Sequence, residues 1–283
     1  MSKQNYVLLK YFTDTRNVDF AIFPEGNKYL SILKTAWQYR HFRPQVGVLP
    51  LPDYPKLTSL FLYLLRTEKI YGRTGDDFLS KILINKPCKN IDESTEHVGL
   101  SSIRLFDPSI KFLKESWYPK FNKDLLGKIP IHGKGANLFI ELSNNRKTSQ
   151  LNQNKLVDIL KELHRDYNFK LLVSVKANEK AKAESLIEKI TKLNIDYMIY
   201  TTNNLPEFIS YVNSADVVLT GDGGIGHIAG ALDKKVVALY GGTSVVKWGI
   251  LSKTAIHLYD KENVNNINNN IIIEQVGECL DCL

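Results

Sequence analysis

Two side chains with acid–base and hydrogen-bonding chemistry, Asp222 and His227, lie in the glycine-rich stretch 220–232. An apolar run, 216–220, precedes this stretch, and a second run, 236–240, follows it and ends in Gly-Gly-Thr. The pattern predicts a strand, a glycine turn, a short helix from about Gly224 and another strand. Because the turn opens a helix, its N–H groups and the helix dipole favour a phosphate there. The structural alternatives are a helix N-cap for Asp222 and a packed histidine for His227.

A second polar loop, 143–148, follows the strand predicted at 137–142. Its hydroxyls, amides and two cations suit a diphosphate at the carboxyl end of a strand. Ser143 and Asn144 are candidate ligands, with either Arg146 or Lys147 as the cation. A solvated basic turn is the structural alternative for the whole loop.

The second half of the chain alternates predicted strands with predicted helices. The strands are 137–142, 170–175, 195–200, 216–220 and 236–240, and the helices between them are 154–167, 179–193 and 205–212. This alternation predicts a parallel, doubly wound sheet, whose ligand crevice lies beyond the carboxyl ends of its strands. Polar residues that follow two of these strands are therefore further site candidates: Glu179, Thr202 and Asn203.

The string Asp-Gly-Gly-x-x-His-x-Ala-x-Ala-Leu from Asp222, followed by Val-Val-Ala-Leu-Tyr-Gly-Gly-Thr, resembles the signature of glycosyltransferase family 9. That family comprises the ADP-heptose:lipopolysaccharide heptosyltransferases. Two positions depart from its usual pattern, since Gly223 replaces a threonine or serine and Gly242 replaces a proline. The resemblance implies an α/β, GT-B-like fold with two Rossmann-like domains and parallel sheets. It also implies an inverting, metal-independent glycosyltransferase.

The resemblance further implies a nucleotide-sugar donor, ADP-heptose or another, and assigns roles to the candidates. His227 and Lys147 would act in catalysis by stabilising the departing diphosphate. The family's general base is an aspartate in a Gly-Asp loop; no Gly-Asp pair precedes residue 19, and Asp14 is the nearest substitute. A solvated turn is the alternative for Asp14. The residues implied for donor binding are Ser143, Asn144, Arg146, Lys147, Glu179, Thr202, Asn203, Asp222, Gly223, Gly224 and His227.

Three segments are predicted along the chain. Residues 1–125 form an abbreviated acceptor-side Rossmann-like domain, and 126–260 form the C-terminal Rossmann-like domain that binds the nucleotide sugar. In the first we expect a strand at 19–23, a helix at 76–85 and a surface or capping role for His97. In the second the helix 154–167 carries one apolar stripe. The glycine- and proline-bearing stretch 122–136 is the expected linker. Residues 261–283 are an asparagine-rich tail, with six asparagines among the eight residues 263–270, and we expect that part to pack loosely.

The formal net charge of +7 favours anionic partners, here the donor, an anionic glycolipid acceptor and a peripheral contact with the inner-membrane surface. No aromatic-plus-basic signature of nucleic-acid binding is present. We expect a cytoplasmic protein, because the chain begins without an apolar signal core and its most apolar stretch, 57–65, is too short to span a bilayer. No cofactor or metal is expected. Cys279 and Cys282 form a single pair and read as reduced thiols, since a structural zinc site needs four ligands.

The sequence thus predicts transfer of a sugar, a heptose by resemblance, to a lipopolysaccharide or lipooligosaccharide core acceptor. The alternative is a non-catalytic member of the family that binds a nucleotide sugar without turnover. A nicotinamide-dependent oxidoreductase is disfavoured, because the glycines at 221, 223 and 224 do not form G-x-G-x-x-G and lie late in the chain.

Overall fold

The computed structural model describes residues 9, 11–12, 21–49, 56–74, 78–87, 95–105, 107–127, 129–131, 135–144, 146–201 and 203–283. These residues fall into two compact units. The described residues of Met1–Leu9, Arg16–Lys114 and Val246–Trp248 form the first, and those of Lys10–Thr15, Glu115–Val245 and Gly249–Leu283 form the second. No described helix is both long enough and apolar enough to cross a bilayer.

The first unit contains a three-stranded parallel sheet in the order β1-β2-β3. The strands are β1 Val46–Val48, β2 Lys69–Gly72 and β3 Lys86–Pro87. The helices are α1 Lys28–Tyr39, α2 Lys56–Leu64, α3 Phe78–Leu83 and α4 Val98–Arg104.

Local interactions account for where α1 and α4 begin. The Asn27 side-chain oxygen accepts hydrogen bonds from the N–H groups of Tyr29 and Leu30, which caps α1. His97 caps α4 by accepting from the Gly99 N–H through Nδ1, so capping, one of the two structural roles expected for this histidine, is confirmed.

Two predictions for the first unit are wrong. Residues 21–23, the described part of a strand predicted from 19 to 23, contain no strand. The helix predicted to reach Asn85 ends at Leu83, and β3 follows it. The Asn85 side chain accepts from the Ile70 N–H and donates to the Glu68 carbonyl oxygen, so it binds this segment to the start of β2 instead of continuing the helix.

The second unit contains a six-stranded sheet in which every neighbouring pair is parallel, in the order β6-β5-β4-β7-β8-β9. The strands are β4 Ala136–Glu141, β5 Phe169–Ser174, β6 Tyr197–Tyr200, β7 Val217–Gly221, β8 Lys235–Gly241 and β9 Ala255–Asp260. Its helices are α5 Gln153–Asp166, α6 Lys180–Thr191, α7 Leu205–Asn213, α8 Gly224–Ala231 and α10 Asn269–Asp281. The short helix α9 Val245–Trp248 follows β8, and its last three residues belong to the first unit.

Burial explains why these strands read as apolar runs in the sequence. Leu138, Leu171, Val217 and Val237 of the inner strands are fully buried, as expected for a parallel sheet covered on both faces. The apolar stripe predicted on α5 packs onto this core, and its residues Leu156, Ile159, Leu160 and Leu163 are buried.

The expectation that residues 263–270 pack loosely is wrong. Val264 is fully buried, and the asparagines around it form ordered turns and caps. The Asn265 side chain accepts from the Asn152 N–H and donates to the Gln150 carbonyl oxygen. Helix α10 then places Ile272 and Val276 in the main core. The asparagines therefore satisfy backbone polar groups, and the apolar residues between and after them supply the packing.

The strand order places the functional crevice. The chain leaves β4 toward β5 on one side and leaves β7 toward β8 on the other, so β4 and β7 are neighbours from which the connections diverge. In open α/β sheets ligands bind beyond the carboxyl ends of the strands at such a switch point. The residues that follow Glu141 and Gly221 lie there.

Candidate functional site

Asp222 follows β7 directly, and its side chain is 7% exposed. The carboxylate accepts a hydrogen bond from Arg146 Nη1 at 2.5 Å, and the same nitrogen donates to Thr243 Oγ1 at 3.0 Å. Arg146 therefore joins the loops after β4, β7 and β8. Helix α8 has Gly223 as its N-cap residue without a side-chain cap, so Asp222 is not the helix cap.

The guanidinium keeps donors for a ligand. Both of its bonds in this cluster come from Nη1, and the described residues accept no hydrogen bond from Nε or Nη2. The Arg146 side chain is 57% exposed. It thus neutralises a buried carboxylate while presenting further N–H groups to an anion.

Asn144 fixes the β4 loop against the glycine turn. Its side-chain nitrogen donates to the Asp222 carbonyl oxygen at 3.0 Å, and its side-chain oxygen accepts from the Arg146 N–H at 2.9 Å. Ser143 lies deeper and is 6% exposed; its hydroxyl accepts from the Lys176 N–H after β5 at 2.8 Å. These two residues connect the loops of neighbouring strands and hold Arg146 in place.

The glycines of the turn divide into two kinds. A Cβ atom on Gly221 would lie 1.8 Å from the Ser149 carbonyl oxygen, so close packing requires glycine there. A Cβ atom on Gly223 would meet nothing closer than 3.8 Å, and one on Gly224 would meet nothing within 4 Å. Gly223 has extended backbone, with φ at 173°. Neither packing nor conformation requires glycine at 223 or 224, and their absence of side chains leaves the backbone N–H groups at the start of α8 open to an anion.

His227 lies in the first turn of α8 and is half-buried. Gly226 and Gly230 flank it, and Cβ atoms on them would each come within 2.6 Å of Ile250. The small residues of α8 therefore allow the helix to lie close against Ile250.

Glu179 ends a short 3-10 turn after β5, next to Ser143 and Lys182. Its Oε1 accepts from Lys182 Nζ at 2.9 Å, and no described hydrogen-bond donor lies in bonding geometry to its buried Oε2. The nearby Ser143 hydroxyl and the Lys182 ammonium lower the pKa of this carboxyl. Glu179 is thus an ionised acceptor at the β5 end of the crevice, chemistry that suits a ribose hydroxyl.

Glu141, the last residue of β4, has the opposite electrostatic character. Burial raises the pKa of its carboxyl, and hydrogen bonds from Ser143 and Ser174 oppose that shift only in part. Its Oε1 accepts from the Ser143 N–H at 2.8 Å. This hydrogen bond therefore helps to fix the backbone of the turn after β4.

Lys147, in the loop after β4, lines a polar cavity of about 540 Å³ beside the switch point. Lys182 and Lys189 of α6 also line it, as does Ser149, whose buried hydroxyl has no described hydrogen-bond partner. The two alternative cations therefore occupy different places: Arg146 forms an ion pair with Asp222, and Lys147 lines the cavity.

The remaining predicted site residues are separate from this cluster or undescribed. Asn203 is exposed after β6. Asp14 and Thr202 lie outside the described residues, so their predicted roles stay predictions. Within the described part of the chain no group of three or more His, Cys, Asp or Glu side chains could hold a metal ion.

Sequence reasoning missed three members of the cluster. Thr243 ends the Gly-Gly-Thr turn after β8, and its position after a strand was a usable signal. Lys182 lies three residues after Glu179, the spacing of a helical ion pair. Glu141 is the one carboxylate in a mostly apolar strand, and burial of such a group indicates a structural or functional hydrogen bond.

Comparison with known families and structures now bears on this geometry. Residues 151–271 match the model of glycosyltransferase family 9 (heptosyltransferase). Apart from Val246–Trp248, the matched residues lie within the second unit. The match begins after the β4 loop and includes Glu179, Asp222 and His227. The resemblance stated from the sequence is thereby confirmed, and it supports glycosyl transfer as the class of reaction. No curated protein sequence matches the chain.

Solved structures extend the likeness beyond the residues that match the family 9 model. E. coli ADP-heptose lipopolysaccharide heptosyltransferase II is 14% identical with a TM-score of 0.68, covering 89% of this chain and 81% of its own. A family 9 glycosyltransferase from Veillonella parvula is 12% identical with a TM-score of 0.68, covering 93% and 82%. E. coli heptosyltransferase WaaC, solved with ADP, is 14% identical with a TM-score of 0.61, covering 87% and 78%. The predicted GT-B-like α/β fold with parallel sheets is confirmed.

Proposed function

We propose that this protein transfers a sugar from a nucleoside-diphosphate donor to the core of a lipopolysaccharide or lipooligosaccharide. The match to the family 9 model supports the reaction class. The similarity to WaaC, which was solved with ADP, supports an adenosine diphosphate donor. A related structure of WaaC holds ADP-2-deoxy-2-fluoro heptose, which favours heptose as the sugar.

One observation carries the proposal: an anion cradle at the sheet's switch point. The N-terminus of α8 at Gly223 and Gly224, where an added Cβ would meet nothing closer than 3.8 Å, directly follows Asp222, and the Asp222 carboxylate binds the exposed guanidinium of Arg146. Because Arg146 already neutralises Asp222, the buried carboxylate does not leave a net negative charge beside the phosphates. Glu179 would accept a hydrogen bond from a ribose hydroxyl, and Thr202 and Asn203 would contact the base.

In the proposed reaction an acceptor hydroxyl attacks the anomeric carbon from the face opposite the diphosphate. The new carbon–oxygen bond forms as the bond to the diphosphate breaks, which inverts the configuration. The acceptor proton passes to a general base, for which Asp14 is the candidate. Lys147, His227 and the N-terminus of α8 would stabilise the departing diphosphate, so the mechanism requires positioning and fixed charge and needs no bound metal or cofactor.

The acceptor would be an anionic glycolipid, and the protein would work at the cytoplasmic face of the inner membrane. The net charge of +7 suits both partners. We do not assign a nucleic-acid partner.

A second candidate is a protein that binds the donor without turnover. The sequence favours it at one point, since residues 1–18 contain no Gly-Asp pair of the kind that carries the family's base. Donor binding and catalysis therefore need separate measurements.

The test combines calorimetry with a transfer assay. ADP and ADP-heptose should bind the wild-type protein, and His227→Ala and Lys147→Ala should each weaken that binding by about ten-fold, the effect of one lost charged hydrogen bond. Transfer of the sugar to a core acceptor would establish the enzyme. Donor binding without transfer would establish a protein that binds the donor without turnover. Affinity unchanged in both variants would contradict the phosphate cradle.

A further inference from the structure

The outer face of α1 is an exposed apolar surface on the first unit. Its side chains Tyr29, Leu30, Leu33 and Trp37 are 65%, 57%, 51% and 69% exposed, and Phe42 beyond the helix is 60% exposed. We call these five residues the α1 face.

The opposite side of the helix explains why this exposure is unusual. Ile32 and Ala36 are buried and pack with Phe61 and Leu65 at the end of α2. Helix α1 thus already has a core-facing stripe, and it carries a second set of large apolar residues that the described part of the unit does not cover. Monomeric proteins rarely expose such contiguous apolar surface without a partner.

Cations surround the α1 face. Lys28, Lys34, Arg40 and Arg43 lie in or next to the helix, and residues 27–45 contain no aspartate or glutamate. Lys34 and Trp37 also line a shallow open groove on this helix. A partner for this surface must therefore accept apolar side chains and carry negative charge.

Arg40 and Trp37 form a fixed pair within the surface. The guanidinium carbon of Arg40 lies 4.3 Å from the centre of the Trp37 ring, and Arg40 Nη1 donates to the Trp37 carbonyl oxygen at 2.7 Å. An indole suits the boundary between headgroups and acyl chains, and an arginine beside it suits lipid phosphates.

These features together identify the class of partner. A second copy of the chain would bring the same cations against each other across a two-fold axis, which opposes self-association through this face. An anionic lipid surface has no such conflict, because cations meet phosphates while tryptophan, leucine and phenylalanine enter the boundary region. We propose that the α1 face docks on an anionic lipid bilayer. The inference deepens the proposed function, since it places the acceptor-side unit where a membrane-held glycolipid acceptor would lie.

The test measures partition of the 283-residue protein onto vesicles by sedimentation. One set is phosphatidylcholine alone, and the other contains phosphatidylglycerol as well. We expect wild-type protein to partition onto the anionic vesicles and to dissociate as salt is added. Trp37→Ser should reduce that partition by about ten-fold, and Lys34→Glu should reduce it by at least about five-fold.

Matched controls lie on the second unit. Tyr259 is 55% exposed on β9, and Lys161 is exposed on α5. Tyr259→Ser and Lys161→Glu change an aromatic and a cation in the same way away from α1, and they should retain wild-type partition. Thermal unfolding followed by circular dichroism should show that all four variants are folded, as expected for exposed positions.

The outcomes decide the proposal. Equal partition onto both vesicle types, or equal loss in the controls and the α1 variants, would overturn it. So would a wild-type dimer that Trp37→Ser dissociates without any vesicle binding, since α1 would then be a self-interface. ADP affinity measured on the same proteins separates this inference from the proposed function: the α1 variants should bind ADP like the wild type, and docking can fail or hold independently of nucleotide binding.

Discussion

At the scale of single residues, the site depends on how Arg146 and Lys147 divide their work. The sequence left these two cations as alternatives because they are adjacent in a polar loop. The choice depended on contacts with Asp222 and Thr243, which lie 76 and 97 positions further along the chain. No local pattern encodes a contact of that range, whereas the types of residue that would meet there could be predicted from their positions after strands.

This division predicts that the two cations affect different properties. Arg146→Ala removes the partner of a carboxylate that is 7% exposed, so we expect the free energy of unfolding to fall by about 1–2 kcal/mol. Lys147→Ala, at an exposed position, should change it by less than about 0.5 kcal/mol while weakening nucleotide binding. Urea unfolding compares the two. Equal losses of stability would show that the Arg146 contact has no special weight.

Glu141 gives a pH-dependent prediction. Burial raises the pKa of its carboxyl in the folded protein above its ordinary value of 4.5, so the unfolded chain releases this proton at lower pH. Ionised Glu141 therefore opposes folding, and wild-type stability should decline relative to Glu141→Gln as pH rises from about 4.5 through the folded pKa. Above that pKa the difference should be constant. Denaturant titrations at a series of pH values measure it, and a pH-independent difference would contradict the assignment.

At the scale of elements, the prediction of the second unit succeeded because its signals were local. Alternating apolar strands and amphipathic helices identified the parallel sheet, and Gly224 was correctly predicted as the approximate start of α8. The failure at 263–270 has a physical reason as well. Asparagine content suggested loose packing, but asparagine side chains cap turns, and Ile272, Val276 and Leu280 recur at helical spacing behind them.

The glycine turn offers an element-scale prediction with its own control. Gly221→Ala would place Cβ 1.8 Å from the Ser149 carbonyl oxygen, so we expect a loss of about 3 kcal/mol or more. Gly223→Ala meets nothing closer than 3.8 Å and has extended backbone, so its stability should match the wild type within about 0.5 kcal/mol. Thermal melts of the two variants test this, and similar losses in both would refute the division of the glycines.

Helix α10 offers a second matched pair, this time of adjacent isoleucines. Ile272 is fully buried in the main core, whereas Ile271 is 45% exposed. Ile272→Ala should cost about 2–5 kcal/mol of unfolding free energy, and Ile271→Ala should cost less than about 1 kcal/mol. If chemical denaturation found both substitutions harmless, the asparagine-rich segment would not contribute to the core as described.

At the scale of the whole molecule, the fold and its two parallel sheets could be predicted, because strand–helix alternation restricts the topology to few arrangements. The predicted domain boundaries at 125 and 260 stay predictions, although α10 packs with α5 inside the second unit. The α1 face could not be recognised from periodicity alone. A helix with apolar residues on two sides looks like a buried helix in sequence. Only the exposure of its side chains in the folded structure distinguishes a half-exposed helix from a buried one.

We propose that a nucleoside diphosphate binds at the N-terminus of α8, and a crystal structure of the protein with ADP would locate it. We expect the diphosphate against the backbone N–H groups that begin at Gly223, within reach of the Arg146 guanidinium. ADP bound elsewhere, or a crevice closed by the protein's own side chains with no nucleotide density, would contradict it.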